Sequence, residues 1–296
     1  MPAVLAVLVT GAVAAGADYE QTVTLREPLG YTWTDELVHH DLAIREPGVA
    51  AETFALLDAR GAPVPVQTDV LDGKPEAVKK VRLWFKMTLG KNETAAFKVT
   101  YNDARRAAAL AAAGAAVREE AGAYVLSTGV AEIRVARSAA FPEPRPLADV
   151  APVLGIRLAG GTSWYGQWRE ESAARVKGLS MTIEAAGPVF AQLRIKYELA
   201  DKGQAYELML RGVAGEPWID VVEKYRLPKE SRRTVSFGEG LKPVQALWLP
   251  WFVWAGGEVR PEYDVHRAAR WTRPPATAAT CFSSNTPTRA RWRITW

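Results

Sequence analysis

Alternation of apolar and polar residues is the feature that most constrains the fold of this chain. In KVRLWFKMTL, residues 80–89, every second residue from Val81 to Leu89 is apolar. Because successive side chains point to opposite faces of a strand, this pattern predicts a β-strand with one buried face. A GKNE turn follows, and alternation from Ala95 to Tyr101 predicts the return strand of a hairpin.

The same period of two returns in longer stretches after residue 124. Residues 189–199 and 206–210 carry apolar side chains at alternate positions, with a DKG turn between them. Strands of this length joined by short turns predict a broad antiparallel sheet, which needs a second sheet on its apolar face. A third run, after a GEP turn, places four residues on one face: Ile219, Val221, Glu223 and Tyr225.

These patterns predict an all-β protein, with a small N-terminal β-barrel followed by a larger antiparallel β-sandwich. Residues 103–123 are rich in Ala and lack a broad apolar stripe, which indicates a linker or a surface helix between the two domains. The predicted organisation is a signal peptide, the barrel, the linker, the sandwich and an irregular tail, at residues 1–17, 18–102, 103–123, 124–270 and 271–296.

The first seventeen residues, MPAVLAVLVTGAVAAGA, are an apolar run that ends in small residues. This composition predicts a secretory signal peptide cleaved after Ala17, and therefore a secreted or periplasmic protein. No other run reaches the 18 apolar residues typical of a membrane span, so we do not expect an integral membrane protein. The single cysteine, Cys281, excludes an intramolecular disulfide, so stability must come from large cores.

The charge distribution gives no support for nucleic-acid binding. The formal net charge is +4, and the four Arg of residues 271–296 account for all of it, which leaves residues 1–270 formally neutral. A nucleic-acid footprint would be expected on the folded part of the chain. The tail has no clear periodicity, so we expect it to be poorly ordered and interpret it as a reading frame lost near Arg270; a functional basic tail is the alternative.

The stretch YTWTDELVHHDL, residues 31–42, resembles an active site in composition. Its two histidines, His39 and His40, are adjacent on a predicted strand, so their side chains point to opposite faces and cannot share a metal ion. The third histidine, His266, is remote, so the sequence predicts no metal site and leaves any cofactor undetermined. We interpret the stretch as the entry strand of the barrel, with Trp33 as a packing anchor and His40 half-buried.

No nucleophile motif is recognisable, because a GxSxG elbow is absent from the sequence. Glycosidases need two carboxylates roughly 5–10 Å apart across the scissile bond. The pairs Asp35–Glu36 and Glu170–Glu171 attract notice, but adjacent side chains on a strand diverge, so we expect them to be solvated surface charges. The catalytic residues are therefore undetermined.

Eleven Trp are present, and one group lies in GGTSWYGQWREES, residues 160–172. Trp combines a large apolar face with a hydrogen-bonding edge, which suits stacking on sugar rings. We predict a loop that presents Trp164, Tyr165, Trp168 and Arg169 to a saccharide; core packing of these aromatics is the alternative. A second group, Trp248, Trp251 and Trp254, favours packing.

A basic stripe also lies on the predicted outer face of the long strands. Arg194 and Lys196 would attract an acidic polysaccharide. Gln192, Glu198 and Glu207 share that face, so an ordinary solvated surface is the better interpretation.

Several blocks of the sequence together resemble a known family. PLGYTWTDELVHHDL, LLDARGAPVPVQTDV and VRLWFKMTLGKNETAAFKVTY are similar to the small RIFT-type N-terminal β-barrel of bacterial rhamnogalacturonan exolyase-like proteins. VLSTGVAEIRV and EAAGPVFAQLRIKYELADKGQAYELMLRGVAGEPWIDVVEKYRL resemble the central β-sandwich of that family. Related blocks occur in other large polysaccharide lyases and in some mannosidase-type hydrolases.

The resemblance implies an enzyme with three parts, in which a C-terminal α/α toroid helps to form the catalytic cleft. This sequence ends where the toroid would begin, so we expect the β-rich region of a polysaccharide lyase that is inactive alone. Tyr263, His266 and Arg267 are of residue types that a lyase could use. The alternatives are a carbohydrate-binding or cell-surface interaction protein without catalysis, and an accessory region of a mannosidase-type hydrolase. The expected partner is a polysaccharide, with an acidic one among the candidates.

The predicted signal peptide can be tested by the mass of the exported protein. Expressed with its own N-terminus in a bacterial host, the chain is expected outside the cytoplasm as a product that begins at Asp18. Ala17→Arg should block cleavage, because signal peptidase needs a small residue there, whereas Ala14→Ser should not. A wild-type exported product that retains residues 1–17 would contradict the prediction.

Overall fold

The computed structural model describes residues 6–10, 19–101, 114–228, 231–236, 279–282 and 288–295 of the 296-residue chain. Contacts divide the chain into two compact units, one of Met1–Ala113 with Gly187–Val189 and one of Gly114–Ala186 with Phe190–Trp296. The described residues form antiparallel strands and two short 3-10 turns, which confirms the all-β prediction. None of the helical segments in these ranges is long and apolar enough to span a membrane.

The described residues of the first unit form eight strands and one 3-10 turn at Ala51–Thr53. The strands are β1 Ala6–Thr10, β2 Tyr19–Arg26, β3 Trp33–Ala43, β4 Ala55–Leu57, β5 Pro63–Val64, β6 Val66–Lys74, β7 Ala77–Leu89 and β8 Thr94–Tyr101. One sheet has the order β1, β2, β8, β4 and β5, and the other has the order β3, β7 and β6. Strand β1 lies inside the predicted signal peptide, whose cleavage stays a prediction.

Two sheets around one core, rather than a closed ring of strands, make up the described part of the first unit. Pro65 separates β5 from β6. It has no backbone N–H, so it cannot donate a hydrogen bond to a neighbouring strand at this junction. Both sheets contribute their alternate residues to the core, as the sequence pattern predicts. Among its most buried members are Val23, Leu25, Leu42, Val81, Leu83, Leu89 and Val99.

The predicted hairpin of β7 and β8 is wrong. Strand β7 pairs with β3 and β6, whereas β8 pairs with β2 and β4 in the other sheet. The two strands face each other across the core, where the rings of Phe85 and Phe97 lie 5.1 Å apart. Alternation identifies the buried face of each strand but not its hydrogen-bonding partner, which explains the error.

In the second unit, the residues that the structure describes form thirteen strands and one 3-10 turn at Leu147–Asp149. The strands are β9 Ala116–Glu120, β10 Ala123–Ser127, β11 Ala131–Ala136, β12 Ala139–Pro146, β13 Val153–Leu158, β14 Gln167–Glu171, β15 Arg175–Ala186, β16 Phe190–Leu199, β17 Ala205–Val213, β18 Trp218–Arg226, β19 Arg232–Ser236, β20 Ala279–Phe282 and β21 Thr288–Thr295.

The second unit is a sandwich. A four-stranded sheet in the order β13, β11, β10 and β9 shares one core with a six-stranded sheet in the order β12, β15, β16, β17, β18 and β21. A three-stranded sheet has the order β14, β19 and β20. The core residues that are not accessible to solvent include Leu126, Ile133, Leu193, Ile195, Leu208, Leu210, Ile219 and Val221.

Two segments that the sequence predicts to lack strands, the linker or surface helix and the irregular tail, contain them. Part of the predicted linker forms β9, and the predicted tail contains β20 and β21. Strand β21 pairs with β18, and β20 pairs with β19. Edge pairing uses backbone N–H and C=O groups, so it does not require the apolar alternation that the prediction relied on. Residues 103–113 of the predicted linker lie outside the described residues.

A buried carboxylate holds the loop between β2 and β3. Glu27, which is not accessible to solvent, accepts hydrogen bonds from the backbone N–H groups of Leu29, Gly30 and Asn92 and from Trp33 Nε1. Burial alone would raise the pKa of Glu27, but these hydrogen bonds outweigh it and lower the pKa to about 2. Glu27 thus ties the entry of β3 to the turn before β8.

Acid should weaken the first unit through Glu27. With a pKa of about 2 when folded and an ordinary value of 4.5, the ionised carboxylate stabilises the fold above pH 4.5 and loses this contribution as the pH falls towards 2. The stability advantage of the wild type over Glu27→Gln should therefore shrink over this interval, as measured by urea unfolding at stepwise lower pH. The exposed Glu76→Gln is the matched control and should show no such trend. An advantage that is independent of pH would contradict the assignment.

Candidate functional site

The loop between β13 and β14 carries the two aromatic residues that the sequence predicts for ligand contact. Trp164 and Tyr165 are both half-buried. Tyr165 is tied to β13 by two backbone hydrogen bonds with Ile156, of 2.7 and 2.8 Å. The loop is therefore held at the edge of the four-stranded sheet, and ligand contact by Trp164 and Tyr165 stays a prediction.

Trp168 does not fit the predicted loop. It lies in β14, is 3% exposed and belongs to the core of the second unit. Its Nε1 donates a hydrogen bond to Glu170 Oε1 at 3.2 Å. Core packing, the alternative interpretation, therefore applies to Trp168. Arg169 also lies in β14, where its backbone pairs with Thr234, and its side chain is outside the described part of the structure.

Charged side chains connect Trp164 to the rest of the outer face of the four-stranded sheet. The guanidinium carbon of Arg157 lies 4.1 Å from the centroid of the Trp164 ring. Arg157 Nε donates to Glu132 Oε2 at 2.6 Å, and Arg118 Nη1 lies 2.9 Å from Glu132 Oε1. We call this set the Arg–Trp row; its members are Trp164, Arg157, Glu132, Arg118 and Glu120.

A glycine allows Trp164 to lie against the sheet. A Cβ atom on Gly155 would be 3.2 Å from Trp164 Cβ and 3.4 Å from the carbonyl oxygen of Tyr165. The first distance is shorter than an ordinary van der Waals contact, and the second is at the lower limit of one. Any side chain at this position would therefore push the loop outwards. Gly155 and Arg157 share a face of β13 because they are two residues apart, and this places Arg157 beside the Trp164 ring.

The Arg–Trp row is electrically balanced. Burial would raise the pKa of Glu132, but hydrogen bonds and charges from Arg118 and Arg157 outweigh it and lower the pKa, so Glu132 is ionised at neutral pH. The hydrogen bond with Glu132 is likewise the main cause of the raised pKa of Arg118. Glu120 supplies the second anion, 3.0 Å from Arg118. The charges hold each other in fixed positions on the sheet, with N–H donors and carboxylate acceptors alongside an aromatic ring.

A second polar group lies inside the sandwich. Tyr206 Oη is 2.7 Å from Glu170 Oε1 and 3.3 Å from Glu223 Oε1. Both glutamates are 1% exposed, so the prediction that Glu170 is a solvated surface charge is wrong. The alternation of β18 does place Glu223 on the buried face, as predicted. The ring of Tyr197 stacks on Tyr206 at 4.9 Å.

The buried glutamates change the electrostatics of the core without giving access to a substrate. Burial, reinforced by the charges of Glu170 and Glu223, raises the pKa of Tyr197 well above its ordinary value, so Tyr197 stays neutral. Its hydroxyl donates to the carbonyl oxygen of Val150 at 2.7 Å. Side chains that are this deeply buried cannot contact a polysaccharide. We therefore assign this polar group a role in specifying how the core of the sandwich packs, and not a role in catalysis.

The predicted basic stripe is neutralised by acids on the same face. Arg194 forms ion pairs with Glu184 and Glu207, and Lys196 lies 4.0 Å from Glu207. Glu207 also lies 3.6 Å from Lys224. The stripe is therefore an ordinary solvated surface of paired charges, as the sequence analysis favoured, and not a basic surface for an acidic polysaccharide.

The remaining candidates from the sequence are separated or lie outside the described residues. His40 is 8% exposed, whereas His39 is on the opposite face with its ring 4.7 Å from that of Trp84. Burial lowers the pKa of His40, although Asp41 opposes the shift. In the ranges that the structure describes, no group of three or more His, Cys, Asp or Glu could hold a metal ion. The candidates outside those ranges are Tyr263, His266, Arg267, Trp248, Trp251 and Trp254.

Sequence reasoning missed Arg157, Glu132 and Arg118. A signal is present, because Glu132 in AEIRVA lies between two buried apolar residues and Arg157 in VLGIRL follows the buried Ile156. The pattern shows that these charges face away from the core, but not that they pair with each other or that Arg157 contacts an aromatic ring.

Comparison with known proteins gives no family. The sequence matches no model of a known protein family, and no curated protein matches it. Among solved structures, a glycosyl hydrolase family 38 protein from Enterococcus faecalis is 11% identical, with a TM-score of 0.45 over 74% of this chain and 33% of that one. An alpha-mannosidase from Enterococcus faecalis V583 is 10% identical, with a TM-score of 0.45 over 75% of this chain and 32% of that one. The chain spans about a third of the length of each.

Removal of the Tyr206 hydroxyl should destabilise the second unit. Tyr206→Phe leaves two buried carboxyl groups without this hydrogen-bonding partner, which typically costs about 1–3 kcal/mol of unfolding free energy. Tyr124→Phe is the matched control, because no hydrogen bond of the Tyr124 hydroxyl is seen among the described residues. Chemical denaturation of both variants makes the comparison. Equal unfolding free energies for the two variants would show that the Tyr206 bridge contributes nothing.

Proposed function

We propose that this chain binds carbohydrate through the Arg–Trp row and belongs to a carbohydrate-active protein. The observation that carries the proposal is the Arg157 guanidinium at 4.1 Å from the Trp164 ring centroid, itself fixed by Glu132. An aromatic residue held in place at the surface by an ion network loses little conformational freedom when a ligand stacks on it. Such preorganisation favours binding of a flat ligand.

The chemistry of the row matches that of a sugar ring. A pyranose presents apolar C–H groups on its faces and hydroxyl groups around its edge, and each hydroxyl both donates and accepts hydrogen bonds. Trp164 offers an apolar surface, Arg118 and Arg157 offer donors, and Glu120 offers acceptors. Tyr165, next to Trp164 in the loop, adds a second aromatic residue that is half-buried.

More specifically, we propose that the chain is the β-rich region of an exported polysaccharide lyase of rhamnogalacturonan type. Support comes from the sequence blocks that resemble that family, from the all-β fold and from the apolar N-terminal run. A carbohydrate-binding or cell-surface interaction protein without catalysis is the second candidate, and the Arg–Trp row favours it equally. An elimination assay on rhamnogalacturonan, followed by the ultraviolet absorbance of the unsaturated product, distinguishes the two when the chain is tested within its complete protein.

Binding by the purified chain is the direct test of the coarser proposal. Rhamnogalacturonan, homogalacturonan and mannan are examined by isothermal titration calorimetry, and at least one is expected to bind. Trp164→Ala should weaken that binding about 30-fold, because an aromatic anchor typically supplies about 2 kcal/mol.

The control for Trp164 is Tyr31→Ala, which removes an aromatic residue that is 66% exposed in the first unit. Its affinity should equal that of the wild type. The proposal fails if the folded wild type binds none of the three polysaccharides, or if Trp164→Ala binds as tightly as Tyr31→Ala.

A further inference from the structure

A second tryptophan lies among charged groups, on the outer face of the three-stranded sheet of the first unit. Strands β3, β7 and β6 pair so that His39 is opposite Trp84, and Arg82 is opposite both Asp41 and Asp69. Residues opposite each other in antiparallel strands lie on the same face, with Cβ atoms about 4.5–5.5 Å apart. We call these five neighbouring residues the Trp84 patch.

The ring of Trp84 is held by three neighbours. Its Nε1 donates a hydrogen bond to Asp69 Oδ2 at 2.6 Å, the ring of His39 lies 4.7 Å away, and Arg82 Cζ is 5.7 Å from the ring centroid. A ring fixed in this way loses little conformational freedom when a ligand stacks on it. Trp84 is half-buried and His39 is exposed, so the patch is accessible to solvent.

The position of Trp84 is not explained by packing in the core. Leu83 and Phe85, its neighbours in β7, both belong to the core of the first unit. Because successive side chains of a strand point to opposite faces, Trp84 points away from that core. A large apolar ring fixed on an outer face is a feature that suits stacking on a ligand.

A bidentate ion pair supplies polar groups beside the ring. Arg82 donates to both carboxylate oxygens of Asp41, from Nε at 2.6 Å and from Nη2 at 3.0 Å. The two side chains are 31% and 32% exposed, so a ligand can reach them. The hydrogen bond from Arg82 lowers the pKa of Asp41, which is therefore ionised at neutral pH. In the described part of the chain, the other N–H groups of Arg82 remain as donors for sugar hydroxyls.

The charges of the patch are balanced. Asp41 and Asp69 are opposed by Arg82 and by the adjacent Lys80, whose Nζ lies 3.9 Å from Asp41 Oδ2. A uronate carboxylate would be repelled by the two aspartates while it is attracted by the two cations. A neutral sugar has an apolar face for the indole ring and hydroxyl groups that both donate and accept, so it matches the patch better.

We infer that the Trp84 patch is a second saccharide-binding site, which takes a neutral sugar residue. The ring of Trp84 stacks on an apolar face of the sugar, Arg82 donates hydrogen bonds to its hydroxyls, and Asp41 accepts hydrogen bonds from them. The patch shares no residue with the Arg–Trp row and lies in the first unit, so this site goes beyond the proposed function. It also gives a role to the outward-facing residues of the stretch YTWTDELVHHDL.

The second site is tested in the variant Trp164→Ala, in which the Arg–Trp row is weakened. Tetrasaccharides of mannan, rhamnogalacturonan and homogalacturonan are titrated into it by isothermal titration calorimetry. The uncharged mannan tetrasaccharide is expected to bind, and to bind more tightly than the homogalacturonan tetrasaccharide. Adding Trp84→Ala should weaken this remaining binding about tenfold, because the aromatic anchor is lost.

The variant Arg82→Gln, also made in Trp164→Ala, tests the polar contacts without removing the ring. It should weaken the remaining binding about tenfold, since hydrogen bonds to charged groups are strong. Arg60→Gln is the matched control, because it removes an arginine of the same unit that is 88% exposed and paired with Asp58. Its affinity should equal that of Trp164→Ala. Thermal unfolding of each variant confirms that it is folded.

The second site is overturned if the wild type binds saccharide but Trp164→Ala retains no binding, or if Trp84→Ala leaves the remaining binding unchanged. A remaining site that prefers the homogalacturonan tetrasaccharide overturns the assignment of a neutral sugar. A wild type that binds none of the ligands overturns the proposed function as well. Binding that is weakened by Trp84→Ala and not by Trp164→Ala overturns the proposed function and supports the second site, so the two failures are distinguishable.

Discussion

Burial of every second side chain between facing antiparallel sheets is the constraint on which the rest of this structure depends. In the second unit Leu193, Leu208 and Ile133 are inaccessible to solvent, and each such side chain contributes about 1.5–3 kcal/mol relative to an exposed one. Because alternate residues are committed to the core, the residues between them must face outwards. The outward positions of β11, β13 and β9 hold Glu132, Arg157 and Arg118, and so the packing of the core sets the geometry of the Arg–Trp row.

Polar interactions have two different roles in this sandwich. At the surface, the charged side chains of the Arg–Trp row have fixed protein partners in place of water, and they hold the Trp164 ring at the sheet edge. In the core, Tyr206 joins Glu170 and Glu223, where polar groups that lacked partners would be costly. The same residue types therefore form the proposed binding surface on one face of the four-stranded sheet and fill part of the core beneath the other.

Sequence patterns predict the all-β class and the buried faces of β7, β8, β16, β17 and β18, the last with its inward Glu223, because alternation is a local property of a strand. They could not predict which strands pair, and the β7–β8 hairpin failed for that reason. The sequence predicts a surface position for Trp168 because a run of polar and aromatic residues is typical of a loop, and for Glu170 because a charge on a strand is usually solvated. Strand β14 turns both towards the core. The candidate site was predicted in part: Trp164 is evident from composition, but its contact with Arg157 depends on Gly155 and on pairing across the sheet.

The central claim is that the outer face of the four-stranded sheet binds saccharide at Trp164. The most direct measurement is an NMR titration that follows the indole N–H signals of the tryptophans as a binding oligosaccharide is added. The account predicts that the signal of Trp164 shifts in proportion to occupancy, while that of Trp168, buried and bonded to Glu170, stays in place. A Trp164 signal that does not move at saturation with bound saccharide would contradict it.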